Sequence, residues 1–169
     1  DRAAWQALPL RLREEAITSG EAYLDYRWPS LPATLFMDFR RTGNRTRFEE
    51  KHFARRKALG RLVMAECVEG KGRFLDDIAD GIWHLCEESF WGIPAHNYIE
   101  PSLPDVQAPS IDLFAGETAG LLAWTYYLLG PVLEEYESML CRRIEYEVDR
   151  RILTPFLSNT YYRWQGLDH

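Results

Sequence analysis

The sequence predicts an all-α fold, built as part of a ring of helical hairpins. Three observations lead there. No stretch alternates apolar and polar residues as a half-buried strand does, whereas apolar residues recur at helical spacing almost throughout. Very short glycine turns join successive segments. One helix that is apolar nearly all round runs straight into an amphipathic one. Inner and outer helices of a ring give that pattern, and a simple bundle gives it less often because each of its helices usually keeps a wet face.

Taken in order, the first helix spans roughly Leu10 to Leu24, with Leu12, Ala16, Ile17 and Tyr23 on one face and Ser19-Gly20 weakening its middle. Trp28-Pro-Ser-Leu-Pro32 then favours extended backbone, because each proline biases the residue before it away from helix. Ala33 to Gly43 reads as an ordered loop carrying Phe36, Phe39, Arg40 and Arg41. Thr46 with Glu49 three residues later is a capping box that opens the second helix. Phe48, His52, Leu59, Leu62, Val63 and Cys67 recur along it until Gly70-Lys-Gly72 ends it. The third helix carries Leu75, Ile78, Ala79, Ile82, Trp83 and Cys86 on one face, so helices two and three form an antiparallel hairpin.

Phe90 to Ile111 contains Pro94, Pro101, Pro104 and Pro109 and reads as a loop of about 20 residues, a length usually reserved for function or disorder. Its Trp91, His96 and Tyr98 argue against disorder. Asp112 caps the fourth helix, Leu113 to Leu129, which reads as fully buried. Gly130 closes it and Pro131 opens the fifth helix. That helix runs to about Leu153, with Leu133, Tyr136, Leu140, Ile144, Val148 and Ile152 inward and Glu134, Glu135, Arg142, Arg150 and Arg151 outward, and Pro155 stops it.

The 169 residues suit one domain, and 46% apolar with 27% charged residues is globular composition. A net charge of 20 − 26 = −6 argues against a nucleic-acid binder. The most apolar run, Ala119 to Leu129, is too short for the ~20 residues a membrane helix needs, so no membrane partner is expected. The chain opens Asp1-Arg2-Ala3 without an apolar leader, so a signal peptide is expected to be absent or removed. Cys67, Cys86 and Cys141 lack any zinc-site spacing and read as buried small hydrophobes; no metal or other cofactor is expected. Aromatic residues reach 14%, with 6 Trp, and 17 of the 20 basic residues are Arg.

Five segments could carry chemistry. Glu87-Glu88-Ser-Phe-Trp91-Gly-Ile-Pro94-Ala-His96-Asn97-Tyr98 gathers acid, aromatic, imidazole and amide groups past a helix C-terminus, where negative charge is unfavourable. It reads either as a sugar cleft, with Trp91 stacking and Glu88, His96 and Asn97 bonding hydroxyls, or as a loop packed by Trp91. Asp112 is most simply a cap, and Glu117, early in an apolar helix, must face a groove or find a buried partner. Trp124-Thr-Tyr126-Tyr127 reads as core. Arg40-Arg41-Thr-Gly-Asn-Arg45-Thr-Arg47 either grips carboxylates or sulfates or is a solvated face. The tail from Tyr161 to His169 is aromatic-rich and includes Trp164.

Together these segments resemble the heparinase II/III-like polysaccharide lyases and their alginate-lyase-like relatives. The residues that carry the resemblance are Pro29-Ser-Leu-Pro32 with Gly43-Asn-Arg45, Ala65-Glu-Cys67 with Gly70-Lys-Gly72-Arg73, Cys86-Glu-Glu88 through Trp91 and Pro94-Ala-His96-Asn97, Asp112-Leu-Phe-Ala-Gly-Glu117-Thr118, and Trp164-Gln-Gly166. Their order and spacing, from about Trp28 onward, make the match.

The resemblance implies an N-terminal, incomplete (α/α) toroid whose cleft holds an acidic polysaccharide, normally followed by a β-sandwich domain. It implies cleavage beside a uronic acid by β-elimination, which needs a group that neutralises the uronate carboxylate, a base for the C5 proton and an acid for the leaving O4. The family pattern continues into an Asn- and Trp-rich segment that this chain stops short of, so residues 1–169 are expected to be an N-terminal piece of the toroid. The roles carried over are substrate binding for Glu88, Trp91, Asn97, Asp112, Glu117 and Trp164. His96 is the catalytic candidate, because imidazole titrates near neutrality. A periplasmic or secreted location is implied by the resemblance alone, with a cytoplasmic one left open. A homodimer through the open toroid edge is expected, because large apolar patches rarely stay exposed. Two other functions stay open: a toroidal hydrolase pairing Glu88 with Asp112 or Glu117, and a non-catalytic carbohydrate-binding or scaffold module.

Overall fold

The computed structural model describes residues 2–97 and 103–158. Among them all regular structure is helical. The elements are α1 (Arg2–Gln6), α2 (Leu10–Glu21), α3 (Ala33–Thr42), α4 (Thr46–Glu69), α5 (Leu75–Glu87), a 3-10 turn (Pro94–His96), α6 (Leu113–Val148), a π-helical turn (Asp149–Leu153) and α7 (Thr154–Ser158).

α4 is the centre of the packing, touching α1, α2, α3, α5 and α6. Leu59, Leu62 and Val63 on α4 meet Ile78, Ile82 and Leu85 on α5 and Leu122, Leu133 and Ile144 on α6 in one continuous core. The α4–α5 hairpin forms as expected. Gly70 and Gly72 take positive φ (60° and 79°), which only glycine adopts without strain. The buried Glu66 carboxylate accepts the Gly72 N–H at 2.9 Å and pins the turn. Gly81 lies so close to Leu59 and Trp28 that a Cβ would come within 2.6 Å of the Trp28 ring. A second, smaller core joins Phe36 on α3, Phe48 on α4 and Phe90.

The structure corrects five element assignments. Residues 33–42 form α3 and not a loop, because proline restricts the residue before it and leaves those after it free; Pro32 is the N-cap and accepts the Leu35 N–H at 3.0 Å. The Thr46–Glu49 capping box does not form. Asn44 Oδ1 accepts the Arg47 N–H at 3.1 Å in its place, and Glu49 pairs with Arg45. The first main helix ends at Glu21.

The fourth and fifth predicted helices are not divided at Gly130–Pro131. Helix continues through Pro131 and breaks at Glu137, whose backbone is extended (φ −160°, ψ 101°). Glu137 Oε1 accepts the Met139 N–H at 3.0 Å and caps the second limb. The limbs fold back on each other: Cys141 Sγ lies 3.8 Å from the Gly130 carbonyl, and Tyr126 hydrogen-bonds Glu145, which raises the Tyr126 pKa. Finally, Pro155 does not end the helical run. The π-helical turn, closed by Thr154 N–H to Asp149 O, sets Pro155 in the first turn of α7, where no N–H is required.

Candidate functional site

The loop that leaves α5 at Glu88 and reaches α6 at Asp112 has two chemical centres. The first is buried. Glu88 is 7% exposed, and its carboxylate is held by Arg55 (3.1 Å) and Arg56 (3.0 and 2.6 Å) from α4. Arg55 also donates to the Pro29 carbonyl, tying the proline-rich segment to α4. Arg56 donates to Thr118 Oγ1 on α6 at 2.9 Å. On the other side Arg151 donates to the Glu88 and Cys86 carbonyls and lies 4.7 Å above the Trp91 ring. Arg151 is itself fixed by Glu147 at 2.6 Å, and Glu147 also binds Arg143 and Arg150.

Five guanidiniums and two buried carboxylates therefore interlock α4, α5 and the second limb of α6. Burial pushes the Glu147 carboxyl up, but Arg151 and Arg150 outweigh it and hold the group below the usual carboxylate range. An open depression of about 550 Å³ lies against this lattice, with Arg143 and Arg150 in its wall.

The second centre is at the start of α6, and its residues do not line that depression. Asp112 is the N-cap of α6: Oδ1 accepts the Ala115 N–H at 2.7 Å. Its Oδ2 lies 2.8 Å from His96 Nδ1. The imidazole stacks on Phe114 at 5.4 Å and 17°, and its side chain is 29% exposed. Gly92 makes the approach possible, since a Cβ there would come within 2.6 Å of both Asp112 Oδ1 and the Phe90 ring. A carboxylate on Nδ1 fixes the tautomer and leaves Nε2 to exchange protons, the same logic that orients a catalytic base.

The candidate residues are thus sorted. Glu88 and Trp91 are joined through Arg151, and His96 and Asp112 are joined directly. Asn97 is buried beside them. Trp91 is 1% exposed and donates Nε1–H to the Leu85 carbonyl at 2.7 Å, so it has no open face on which a sugar could stack. Glu88 is likewise a core charge and not a surface hydroxyl binder. Glu117 is exposed, because the first limb of α6 is not buried all round. Trp164, Tyr98 and the tail from Tyr161 to His169 lie outside the described residues. In the arginine group, Arg45 pairs with Glu49 and Arg47 with Asp38.

Sequence reasoning misses Glu147 and misplaces Arg151, set among outward residues but 7% exposed. The signal is there: Leu140, Ile144, Glu147 and Arg151 share one helical stripe. His52, a core position by its spacing, is fully buried. Neither ring nitrogen has a hydrogen-bond partner among the described residues, and burial with the nearby Arg56 and Arg55 pulls its pKa down to about 2.

All three cysteines are free and buried. Burial and the Glu147 charge push Cys86 up to about 12, and burial with the Glu134 hydrogen bond pushes Cys141 to about 11, so neither offers a thiolate at neutral pH. Among the described residues no three His, Cys, Asp or Glu side chains converge as a metal site would require, and no helix is long and apolar enough to cross a membrane. No protein-family model matches the chain, and no curated protein matches it.

Proposed function

We propose that the chain forms part of the substrate cleft of a polysaccharide lyase acting on uronic-acid polymers, within a toroid of helical hairpins, and that His96 moves the proton. The observation that carries this reading is the His96–Asp112 pair. It is a partly open imidazole with its tautomer set by a carboxylate that also caps α6. In β-elimination the base takes the C5 proton, the C4–O4 bond breaks, a C4–C5 double bond forms and O4 leaves with a proton supplied by an acid. His96 Nε2 is suited to exchange one of those protons. The partly open guanidiniums of Arg143 and Arg150, both paired with Glu147, are the cationic groups in the wall of the depression that an acidic polymer would meet.

The hydrolase alternative needs two free carboxylates. Glu88 is locked between two guanidiniums, and both Asp112 oxygens are engaged, which argues against it. The test is ultraviolet absorbance of unsaturated product from heparin-like, alginate and other uronate polymers, comparing the full-length protein, of which this chain is the N-terminal part on this reading, with its His96→Ala variant. The expected result is an absorbance rise that the substitution removes while the helical circular dichroism is unchanged. A rise that His96→Ala leaves intact removes His96 from the chemistry. Reducing ends released without unsaturation would favour the hydrolase.

A further inference from the structure

The first limb of α6 carries an apolar face that is exposed among the described residues. Leu113, Gly116, Gly120, Trp124, Tyr127 and Pro131 fall within about 60° of one line down the helix. Trp124 and Tyr127, core residues by sequence pattern, are 62% and 75% exposed, and Leu113 is 66% exposed. At roughly 200 Å² per aromatic side chain, these exposures leave about 270 Å² of open ring surface. A contiguous apolar face of this kind marks an interaction site.

We infer that this face pairs with the same face of a second copy of the chain. The face is shaped to fit itself. Gly116 and Gly120 are notches: a Cβ added to either meets nothing within 4 Å. Trp124 and Tyr127 are projections one to three turns further along. In an antiparallel two-fold pair centred on residue 122, Trp124 of each copy sits opposite Gly120 of the other, and Tyr127 falls level with Glu117, beside the Gly116 notch. Such a face is complementary to itself, as an isologous interface requires. The rings of two copies contribute about 540 Å², and Leu113, Ala123, Pro131 and the glycine backbone bring the total near the roughly 1,000 Å² that a specific interface needs. A sugar is the poorer occupant, because the Trp124 and Tyr127 rings stand at 85° to each other and present no common plane. This inference does not rest on the proposed lyase activity.

The experiment is sedimentation velocity on the full chain over a range of concentrations, with two variants. Trp124→Ala with Tyr127→Ala removes the projections. Gly120→Lys fills the notch, and it also raises helix propensity, so it does not unfold the chain. The expected result is a dimer that dissociates on dilution and whose dissociation constant rises at least about tenfold in each variant. A monomer at the highest concentration overturns the inference, whether Trp124 is then open to quencher or shielded by another segment. So does a dimer indifferent to both variants, or oligouronate binding by a monomer that depends on Trp124.

Discussion

Glu88 and Asp112 stand at the two ends of one loop and are held in opposite ways. Glu88 turns inward, is closed off from water and binds two guanidiniums. Asp112 is also largely covered, its side chain 10% exposed, but one oxygen caps a helix and the other holds a partly open histidine. Both are carboxylates in a segment dense with aromatic and polar residues, and the sequence offers both as sugar ligands. The difference lies in the partners. A carboxylate whose lone pairs are taken up by two buried arginines fixes the loop, and one shared with a partly open imidazole can take part in proton transfer.

The comparison breaks most sharply at Glu88. Glu88→Gln leaves two buried guanidiniums without their counter-charge and should cost about 3–5 kcal/mol in urea unfolding. A loss under about 1 kcal/mol would mean that water reaches Arg55 and Arg56. Next is Gly92→Ala. Its Cβ would press on both Asp112 and Phe90, so the two centres must move apart; the expected cost is about 1–3 kcal/mol.

His52 adds a pH test. Its folded pKa of about 2 lies below the ordinary 6.5, so the unfolded chain binds a proton that the folded chain refuses. Its contribution is complete above pH 6.5 and is lost as pH falls from there toward about 2, at about 1.4 kcal/mol per pH unit. His52→Leu should make the acid limb of a stability-against-pH curve shallower by one proton and should not weaken the protein at pH 7. An unchanged acid limb would show that His52 binds a proton in the folded state. The smallest effects belong to the second centre. Asp112→Ala should cost about 1 kcal/mol through the lost cap. His96→Ala should cost under about 0.5 kcal/mol while removing any uronate-dependent activity, the reverse of the pattern at Glu88.

Much of the fold is legible in the sequence. Helical spacing locates α2, α4, α5 and α6, and the two glycines after Glu69 mark a hairpin that the structure contains. Three misreadings have physical causes. Pro32 looks like a barrier to helix in residues 33–42, although proline favours a helix start. Gly130-Pro131 has the local chemistry of a helix end, but the tertiary contacts of Leu129 and Leu133 carry the helix through, and the reversal falls at Glu137, in an acidic run that propensity does not mark. The apolar first limb of α6 reads as buried because a sequence cannot show which side of a helix lacks a neighbour. At the site, Asp112 as a cap is plain from its position before an apolar run. The Asp112–His96 pairing joins residues 16 apart in the sequence, and the Glu147–Arg151 anchor sits among other Glu and Arg residues that do face water, so no local pattern separates them.

The most direct test of the division between the two centres is imidazole NMR of the protein titrated with a uronate oligosaccharide. The account predicts that His96 ring resonances shift with saturation, that His52 resonances stay still, and that Asp112→Asn or His96→Ala weakens binding while folding is retained. Titration that leaves His96 unmoved, with binding indifferent to both substitutions, would contradict it.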